Sequence, residues 1–427
     1  MAKNQSKRIL IYILSKFQIT TADSVNLYYN IFMSNLFLIT NPGSASRKYA
    51  LYDGDDLIAE LHFEYEDGSV ICALRDDDGK KDIPVNIDSL TDAVDQLDDI
   101  LEKEGYISKK NQLAAIVARM VAPMEYFVQN RIVDDEFMEN LEIAKKRAPL
   151  HAPVIATEIE RLHAAFPETK IISISDMAFH WEKPDLMKYY AFDPEVADKF
   201  GIKRYGFHGL SYDFVTNYLK KKDLLAKHTV IAHLGSGSSV SAIFEGKSMD
   251  NTMGYTPLEG LCMSTRAGDM DVAAALALKR ELGFESDSEL EIYLNKKCGL
   301  LGLTSGETDD MREVIKGRDE GEKKATFAHS MFVYRAQCGI AKMAATMGNI
   351  DALVFTATIG ERSDEIRRSI VTKLKYLGFE LDQDKNKDPD FDGRHALISS
   401  ENSKPIYVVK TNETSAMIRR AQELLQA

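Results

Sequence analysis

The period of apolar and polar positions changes several times along the chain, and the changes divide it into elements. Leu36–Ile39 is a short unbroken apolar run, the mark of a buried strand, and Asn41–Ser46 is dense in turn formers. Lys48–Tyr52 continues as a second strand, and Ile58–Tyr65 and Ser69–Leu74 alternate or run apolar between Asp/Gly turns. The opening therefore reads as a three-stranded antiparallel meander. Ser89–Leu101 has helical apolar spacing and stops at Gly105. A strand at Leu113–Val121, helical patterns to about Phe166 and a strand at Lys170–Ser175 follow.

The second half repeats the plan. Thr229–Leu234 and Ser239–Phe244 are strands joined by Gly235–Ser238, and Gly246 turns the chain into a third near Ser248. A long helical pattern through Thr326–Met347 precedes a strand at Ala352–Thr356 and a helix from about Glu361. Two copies of meander, helix, strand and helix predict an α/β fold made by internal duplication, with a cleft between the halves.

The first residues stand apart. Lys3, Lys7 and Arg8 precede the apolar run Ile9–Leu14, which is too short for a membrane span or a signal h-region, and no small-residue cleavage site follows. Residues 1–32 read as an N-terminal extension, poorly ordered and outside the fold, with Met33 just before the first convincing strand.

Composition narrows the function. A chain of 427 residues, 44% hydrophobic and 28% charged, suits an ordinary soluble protein of two domains. Its net charge of -13 argues against nucleic-acid and anionic-membrane partners, so an anionic substrate needs local Arg, Lys and metal ions. Cys72, Cys262, Cys298 and Cys338 show no CxxC spacing and read as the reduced thiols of a cytoplasmic protein.

The most specific stretch is Met253–Asp271. Gly254, Pro257, Gly260 and Gly268 punctuate it into a shaped loop feeding a helix that begins near Asp269. Arg266 near its end is placed to clamp a transferring phosphoryl group, unless it merely pairs with Asp269 or Asp271 on the surface. The strand–glycine turn–strand pattern at Gly43 and again at Gly235 suits phosphate binding, although hairpins use glycine anyway. Known nucleotide fingerprints fail: Gly246–Ser248 lacks the upstream glycine of a P-loop, and Gly235–Gly237 lacks the third glycine of a dinucleotide site.

Several segments, in order and with matching gaps from about Asn35 to the C-terminus, resemble the acetate kinase family of the acetate and sugar kinase, actin-like superfamily. They are Asn41–Lys48, Ala148–His151, Asp176–His180, Tyr205–Gly209, His233–Gly237, Met253–Asp271, Gly299–Gly302, Asp310–Arg312, Ile359–Glu361 and Thr411–Glu413. The resemblance implies a duplicated ribonuclease H-like (actin-like ATPase) fold of two domains with the active site in the cleft between them. Residues 33–190 would form the N-terminal, acyl-side domain. Residues 191–427 would carry the nucleotide, the phosphates and the dimer contact, with the last helix returning to the first domain. It also implies a homodimeric kinase that moves a phosphoryl group between ATP and acetate with Mg²⁺ (or Mn²⁺), closing about a hinge near residues 190–200 to exclude water.

Residue roles follow from the same resemblance. Arg119 and Arg266 would hold the carboxylate and the equatorial phosphoryl oxygens, and His208 would bond the phosphoryl in flight. In a Gly-Phe-His-Gly turn a satisfied structural histidine is the alternative. Asp176 would orient an arginine or the metal shell, and His151, like His180, would act in catalysis or support its loop. Asn41 and Glu413 are the metal candidates, and Val121, Leu150, Phe207 and Pro257 the pocket for the methyl group. The nucleotide and phosphate candidates are Ser44, Ser46, Lys48, His233, Gly235, Ser236, Gly237, Asp310, Met311, Arg312, Thr358, Ile359, Gly360 and Arg362.

Three segments depart from the family pattern. Ala118–Met124 replaces His-Arg-Val-Val-His-Gly-Gly, keeping Arg119 and Val121 but adding the stiff Pro123 and the bulky Met124. Ala357–Arg362 replaces Gly-Gly-Ile-Gly-Glu-Asn, and Ser236 replaces an asparagine. These leave open a pyrophosphate-linked enzyme, a propionate- or butyrate-preferring one, and a catalytically impaired relative acting as a binding protein.

Overall fold

Two mixed sheets with the same strand logic carry the chain. The computed structural model describes residues 35–42, 46–66, 68–107, 113–147 and 152–426, so the expected extension 1–32 lies outside the described residues. The first sheet contains β1 (Leu36–Pro42), β2 (Ser46–Asp53), β3 (Asp56–Glu66), β4 (Ser69–Asp76), β5 (Gly79–Ile83), β6 (Ala115–Met120), β7 (Arg131–Ile132) and β8 (Ile171–Ser175). Its order is β5-β4-β3-β2-β1-β6-β8-β7. The second contains β9 (His228–Leu234), β10 (Ser238–Phe244), β11 (Lys247–Asn251), β12 (Ala352–Thr356), β13 (His395–Leu397) and β14 (Ile406–Val409), ordered β11-β10-β9-β12-β14-β13.

The duplication is visible in the pairing. In each sheet an antiparallel meander is followed by two parallel strands, β6 and β8 in the first and β12 and β14 in the second. Each sheet then ends on an antiparallel edge strand, β7 or β13. This is the expected α/β, two-domain actin-like arrangement. The opening meander has five strands rather than three: each of the four apolar runs is a strand, and a fifth joins them. The missed one, β5, is Gly-Lys-Lys-Asp-Ile with four of five residues exposed, so no apolar alternation marks it.

Helices cover both sheets. Here α1 is Val94–Lys103, α2 Asp135–Arg147, α3 Ala152–Ala165, α4 Gly209–Lys221, α5 Val272–Glu281, α6 Met311–Asp319, α7 Lys323–Met347, α8 Ala357–Arg362, α9 Asp364–Val371 and α10 Glu413–Gln426. Leu97 and Leu101 of α1 and Leu162 of α3 join Leu38, Leu51, Leu61 and Leu74 in one core. Phe332, Ala336 and Ile340 of α7 seal Val230, Val240 and Leu353 in another. Two expected helix starts are displaced. The helix after Met253–Asp271 begins at Val272, with Asp271 accepting from Ala273 N as its cap, and the helix expected from Glu361 begins at Ala357 and breaks at Ser363.

The last described helix returns to the first sheet. Ala416, Met417, Ile418 and Ala421 of α10 pack on Phe37, Ile39, Val117, Ile172 and Ile174 of the first sheet. Asp213 of α4 receives Arg420 Nη2 at 2.8 Å and Arg420 Nε at 3.1 Å, and also pairs with Arg419. The carboxyl ends of β6, β8, β9 and β12 open toward one crevice, the place where open α/β sheets bind ligands.

Candidate active site

Arg119 sits one residue before the end of β6. Its Nη1 donates to Glu413 Oε2 at 2.9 Å and its Nη2 to Asp176 Oδ1 at 3.0 Å, joining the first strand layer to the start of α10. Burial alone would depress this guanidinium, but Asp176 and Glu413 outweigh it and hold its pKa above the ordinary value. Among the described residues its Nε is buried with no hydrogen-bond partner, which leaves a donor for a ligand.

Asp176 follows β8 directly and is nearly inaccessible. Its Oδ2 accepts the backbone N–H of His208 at 2.8 Å, and its carbonyl accepts that of Gly209 at 2.9 Å. A Cβ at Gly209 would stand 2.3 Å from that carbonyl oxygen, so only glycine permits this seat for the start of α4. His208 itself adopts φ 59°, a left-handed conformation that costs a non-glycine residue and persists here because both neighbours are tied down.

The His208 ring stacks on His233 at 4.1 Å, and its Nδ1 lies 2.9 Å from Ser239 Oγ, which also meets the Tyr212 hydroxyl at 2.6 Å. Burial, His233, Arg119 and Arg266 keep its pKa well below the usual histidine value, so the imidazole is neutral at physiological pH. His233 Nδ1 lies 2.8 Å from Ser211 Oγ, and Ser211 in turn 3.0 Å from Thr411 Oγ1.

Arg266 is the contrast to Arg119. No carboxylate lies in ion-pair range of it among the described residues, its Nη1 donates only to Met263 Sδ at 3.7 Å, and burial lowers its pKa. The alternative of a surface Arg paired with Asp269 or Asp271 is not what the structure has: Asp269 accepts from Gly260 N and Asp271 caps α5. A Cβ on Gly237 would lie 2.9 Å from His208 Nε2 and 3.4 Å from Arg266 Nη1, so Gly237 is the point where histidine, arginine and turn meet. Ser264 N donates to Ser236 O at 3.1 Å, locking the Arg266 loop to the same turn.

A cavity of about 340 Å³ opens beside this cluster, lined by His233, Gly235, Ser236, Gly237, Ala357, Thr358, Glu361, Arg362, Thr411 and Glu413. Thus seven of the expected phosphate-side and metal residues line one cavity. Asn41 is reached by register: Thr40 pairs with Ala118, which sets Asn41 level with Arg119 on the adjacent strand, and Lys48 lies opposite Asn41 on β2, which begins at Ser46. Val121 and Phe207 fall in one apolar cluster with Met124, Met253 and Met263, and Pro257 is buried in its loop.

Other expected residues stand elsewhere. Met311 is buried in the second core and Ile359 packs against that core, so their side chains turn away from the cleft, and Gly360 faces Leu234. Asp310 caps α6 and pairs with Arg312, which is exposed. Ser44, Leu150 and His151 lie outside the described residues. His180 is a buried support, bonded at Nδ1 to Ser248 Oγ at 2.7 Å and at Nε2 to Phe207 O at 3.0 Å.

Glu361 was given no role by the sequence, yet it lines the cavity and its Oε1 accepts from Ala357 N at 2.9 Å and Thr411 N at 3.0 Å. Burial raises its pKa against those two bonds. The signal that could have found it is an acidic residue one helical turn after the end of a buried strand, within reach of the first backbone N–H of the helix.

Among the described residues no three His, Cys, Asp or Glu side chains form a metal cluster. The carboxylates of Asp176 and Glu413 on Arg119, with Asn41 level with it on the adjacent strand, are nevertheless the oxygen donors that suit Mg²⁺, a hard cation that uses one or two carboxylates and takes its remaining ligands from phosphates and water.

Two copies of one fold, facing each other across a cleft lined with unpaired donors, define a two-domain phosphotransferase of the actin-like class. The chain belongs to the Acetokinase family, whose profile matches residues 36–419. It is 35% identical over 408 residues to an acetate kinase of Clostridium botulinum, covering 91% of this chain and 98% of the relative. It is 38% identical over 391 residues to one of Shewanella amazonensis, covering 89% and 96%. A propionate kinase from Francisella tularensis superposes with a TM-score of 0.83 at 32% identity, covering 90% of this chain and 98% of that one. The acetate kinase of Porphyromonas gingivalis gives 0.81 at 30%, covering 92% and 100%. No helix among the described residues is long and apolar enough to cross a membrane.

Proposed function

We propose that this protein is an acetate kinase, moving the terminal phosphoryl group of ATP to acetate by direct in-line transfer and giving acetyl phosphate and ADP. The observation that carries the reading is Arg266, a half-buried guanidinium with no carboxylate partner among the described residues, meeting neutral His208 across Gly237. A cation left uncompensated in a low-dielectric site is costly unless an anion arrives to neutralise it. An acetate oxygen would attack the terminal phosphorus as its bond to the bridging oxygen breaks, and ADP would leave with that electron pair. Arg266 and the free Nε of Arg119 would neutralise the equatorial oxygens, and neutral His208 would donate one hydrogen bond without repelling the arginines.

Val121, Phe207 and Pro257 would enclose the methyl end. Asn41 and Glu413, with Asp176 behind Arg119, would hold Mg²⁺, which when bound neutralises charge on the donor phosphates. Val272 and Leu276 of α5, a helix with no buried residue, are exposed and support the homodimer reading.

Arg362 and the side chains of Ala357 and Thr358 line the cavity, which favours pyrophosphate as the second donor to try. Hydroxylamine-trapped acyl phosphate, measured with acetate and Mg²⁺ and with ATP or pyrophosphate, tests the proposal. ATP-dependent product that disappears in Arg266→Ala supports it. Product with pyrophosphate alone reassigns the donor, and none with either donor in folded protein points to the binding-protein reading. Propionate and butyrate in the same assay set the acyl preference.

A further inference from the structure

One carboxylate oxygen joins two walls of the cavity that are far apart in sequence. The first wall is α8, which follows β12 directly and bears Ala357, Thr358 and Arg362; the second is the segment from β14 into α10, bearing Thr411 and Glu413. Glu361 Oε1 accepts from Ala357 N at 2.9 Å and from Thr411 N at 3.0 Å. Ala357 holds φ 64°, where a side chain is strained, so the bond to Glu361 fixes a conformation the residue would otherwise leave.

Glu361 is itself anchored from behind. Arg367, fully buried, donates Nη1 to the carbonyls of Gly360 and Glu361 at 2.9 Å each, and its Nε and Nη2 are held by Asn386 at 2.7 and 2.6 Å. From Thr411 the connection continues through Ser211 to His233, which stacks on His208, and two residues further Glu413 receives Arg119. The donor-side turn and the Arg119–Glu413 pair thus share one support.

We propose that Glu361 is a positioning residue whose single oxygen keeps the Ala357–Thr358 turn and the Thr411–Glu413 segment in register, so that donor binding and Mg²⁺ binding depend on it together. The kinetic part rests on the acetate kinase reading; the structural part does not. The two N–H donors need an acceptor at this reach, not a charge. Glu361→Gln keeps an oxygen at the same distance, whereas Glu361→Asp keeps the charge but is one methylene too short to serve both donors.

The experiment uses the full chain as wild type, Glu361→Gln, Glu361→Asp and Glu361→Ala. Amide hydrogen exchange is followed in peptides covering Ala357 and Thr411, and KM is measured for ATP, Mg²⁺ and acetate. In the Asp and Ala variants, exchange at both segments should accelerate together by about tenfold, the KM for ATP and the half-saturating Mg²⁺ should each rise by about tenfold, and the KM for acetate should stay within about twofold. Gln should stay nearer wild type than Asp in every readout.

If Ala fails to fold, the order of Gln and Asp still decides. Asp equal to or better than Gln would overturn the proposal, since charge rather than reach would then matter. Acceleration at one segment only, or an equal rise in all three kinetic constants, would overturn it as well. Should wild type form no acyl phosphate, the acetate kinase reading fails, and the exchange pattern alone still reads the proposal.

Discussion

Arg266 shows how one side chain can trade stability for function. It is a half-buried cation with no carboxylate in ion-pair range among the described residues, while Arg119 on the facing wall has two. Arg266→Ala should lower kcat/KM for acyl phosphate formation by about 10²–10³-fold, the loss expected for one preorganised charge donor at the reacting centre. The same change should leave the urea midpoint unchanged or raise it, because the folded state no longer carries an uncompensated guanidinium. A lowered midpoint would show that Arg266 has a structural partner. Ala357 makes a second case: its φ of 64° costs about 1 kcal/mol in an L-residue, and glycine returns part of that through unfolded-chain entropy. Ala357→Gly should therefore be neutral or stabilising by up to about 1 kcal/mol in equilibrium unfolding, and it should lower the KM for the donor by opening the cavity wall. Arg266 was legible because glycine and proline punctuate its loop. Glu361 was not, because its two donors lie on either side of a fifty-residue excursion that no local pattern reports. Met311, expected on the nucleotide side, has its side chain in the core, where a motif residue can support the motif from behind.

At the scale of elements, burial on both faces marked several strands but not all: β14, buried at all four positions, was not read. Ala352–Thr356 was read to the residue because all five positions are buried, whereas β5 is exposed and β7 has only two residues. The packing of α10 back onto the first sheet depends on Asp213, whose carboxylate is enclosed while Arg419 and Arg420 remain partly wet. Removing the acid strands two cations that can rehydrate, so Asp213→Ala should cost about 2–3 kcal/mol, toward the low end for a broken buried pair. Hydrogen exchange should localise the loss to α10, and acyl phosphate formation should fall with it, because Glu413 begins that helix and holds Arg119. Uniformly faster exchange throughout the second sheet would count against this picture.

Across the whole molecule, a polar seam ties the segment before residue 190 to the second sheet and its loops, and it also holds Lys183. His180 reaches Ser248, Arg204 reaches Asp250 and Glu259, and Lys183, nearly inaccessible, donates Nζ to Tyr205 O at 3.3 Å. Asp250 and Glu259 face the amine and favour its charge, but burial dominates, Arg204 and Lys188 oppose the charge, and the pKa is lowered to about 7. An unfolded lysine titrates near 10.4, so between about pH 7 and pH 10.4 the unfolded chain binds a proton that the folded one has released. Stability through this group therefore rises with pH across that window, and below it both states are protonated and the full penalty applies. Lys183→Met, close in shape and uncharged, should then be more stable than wild type by about 3 kcal/mol at pH 6–7, after allowing for the lost bond to Tyr205 O. The advantage should shrink steadily and be gone near pH 10. Urea unfolding of the two proteins across pH 6 to 10 gives the difference directly, with the other titrating groups cancelling. A constant difference across the series would mean that Lys183 keeps its proton in the folded state, and that Asp250 and Glu259, not burial, set the electrostatics of the seam.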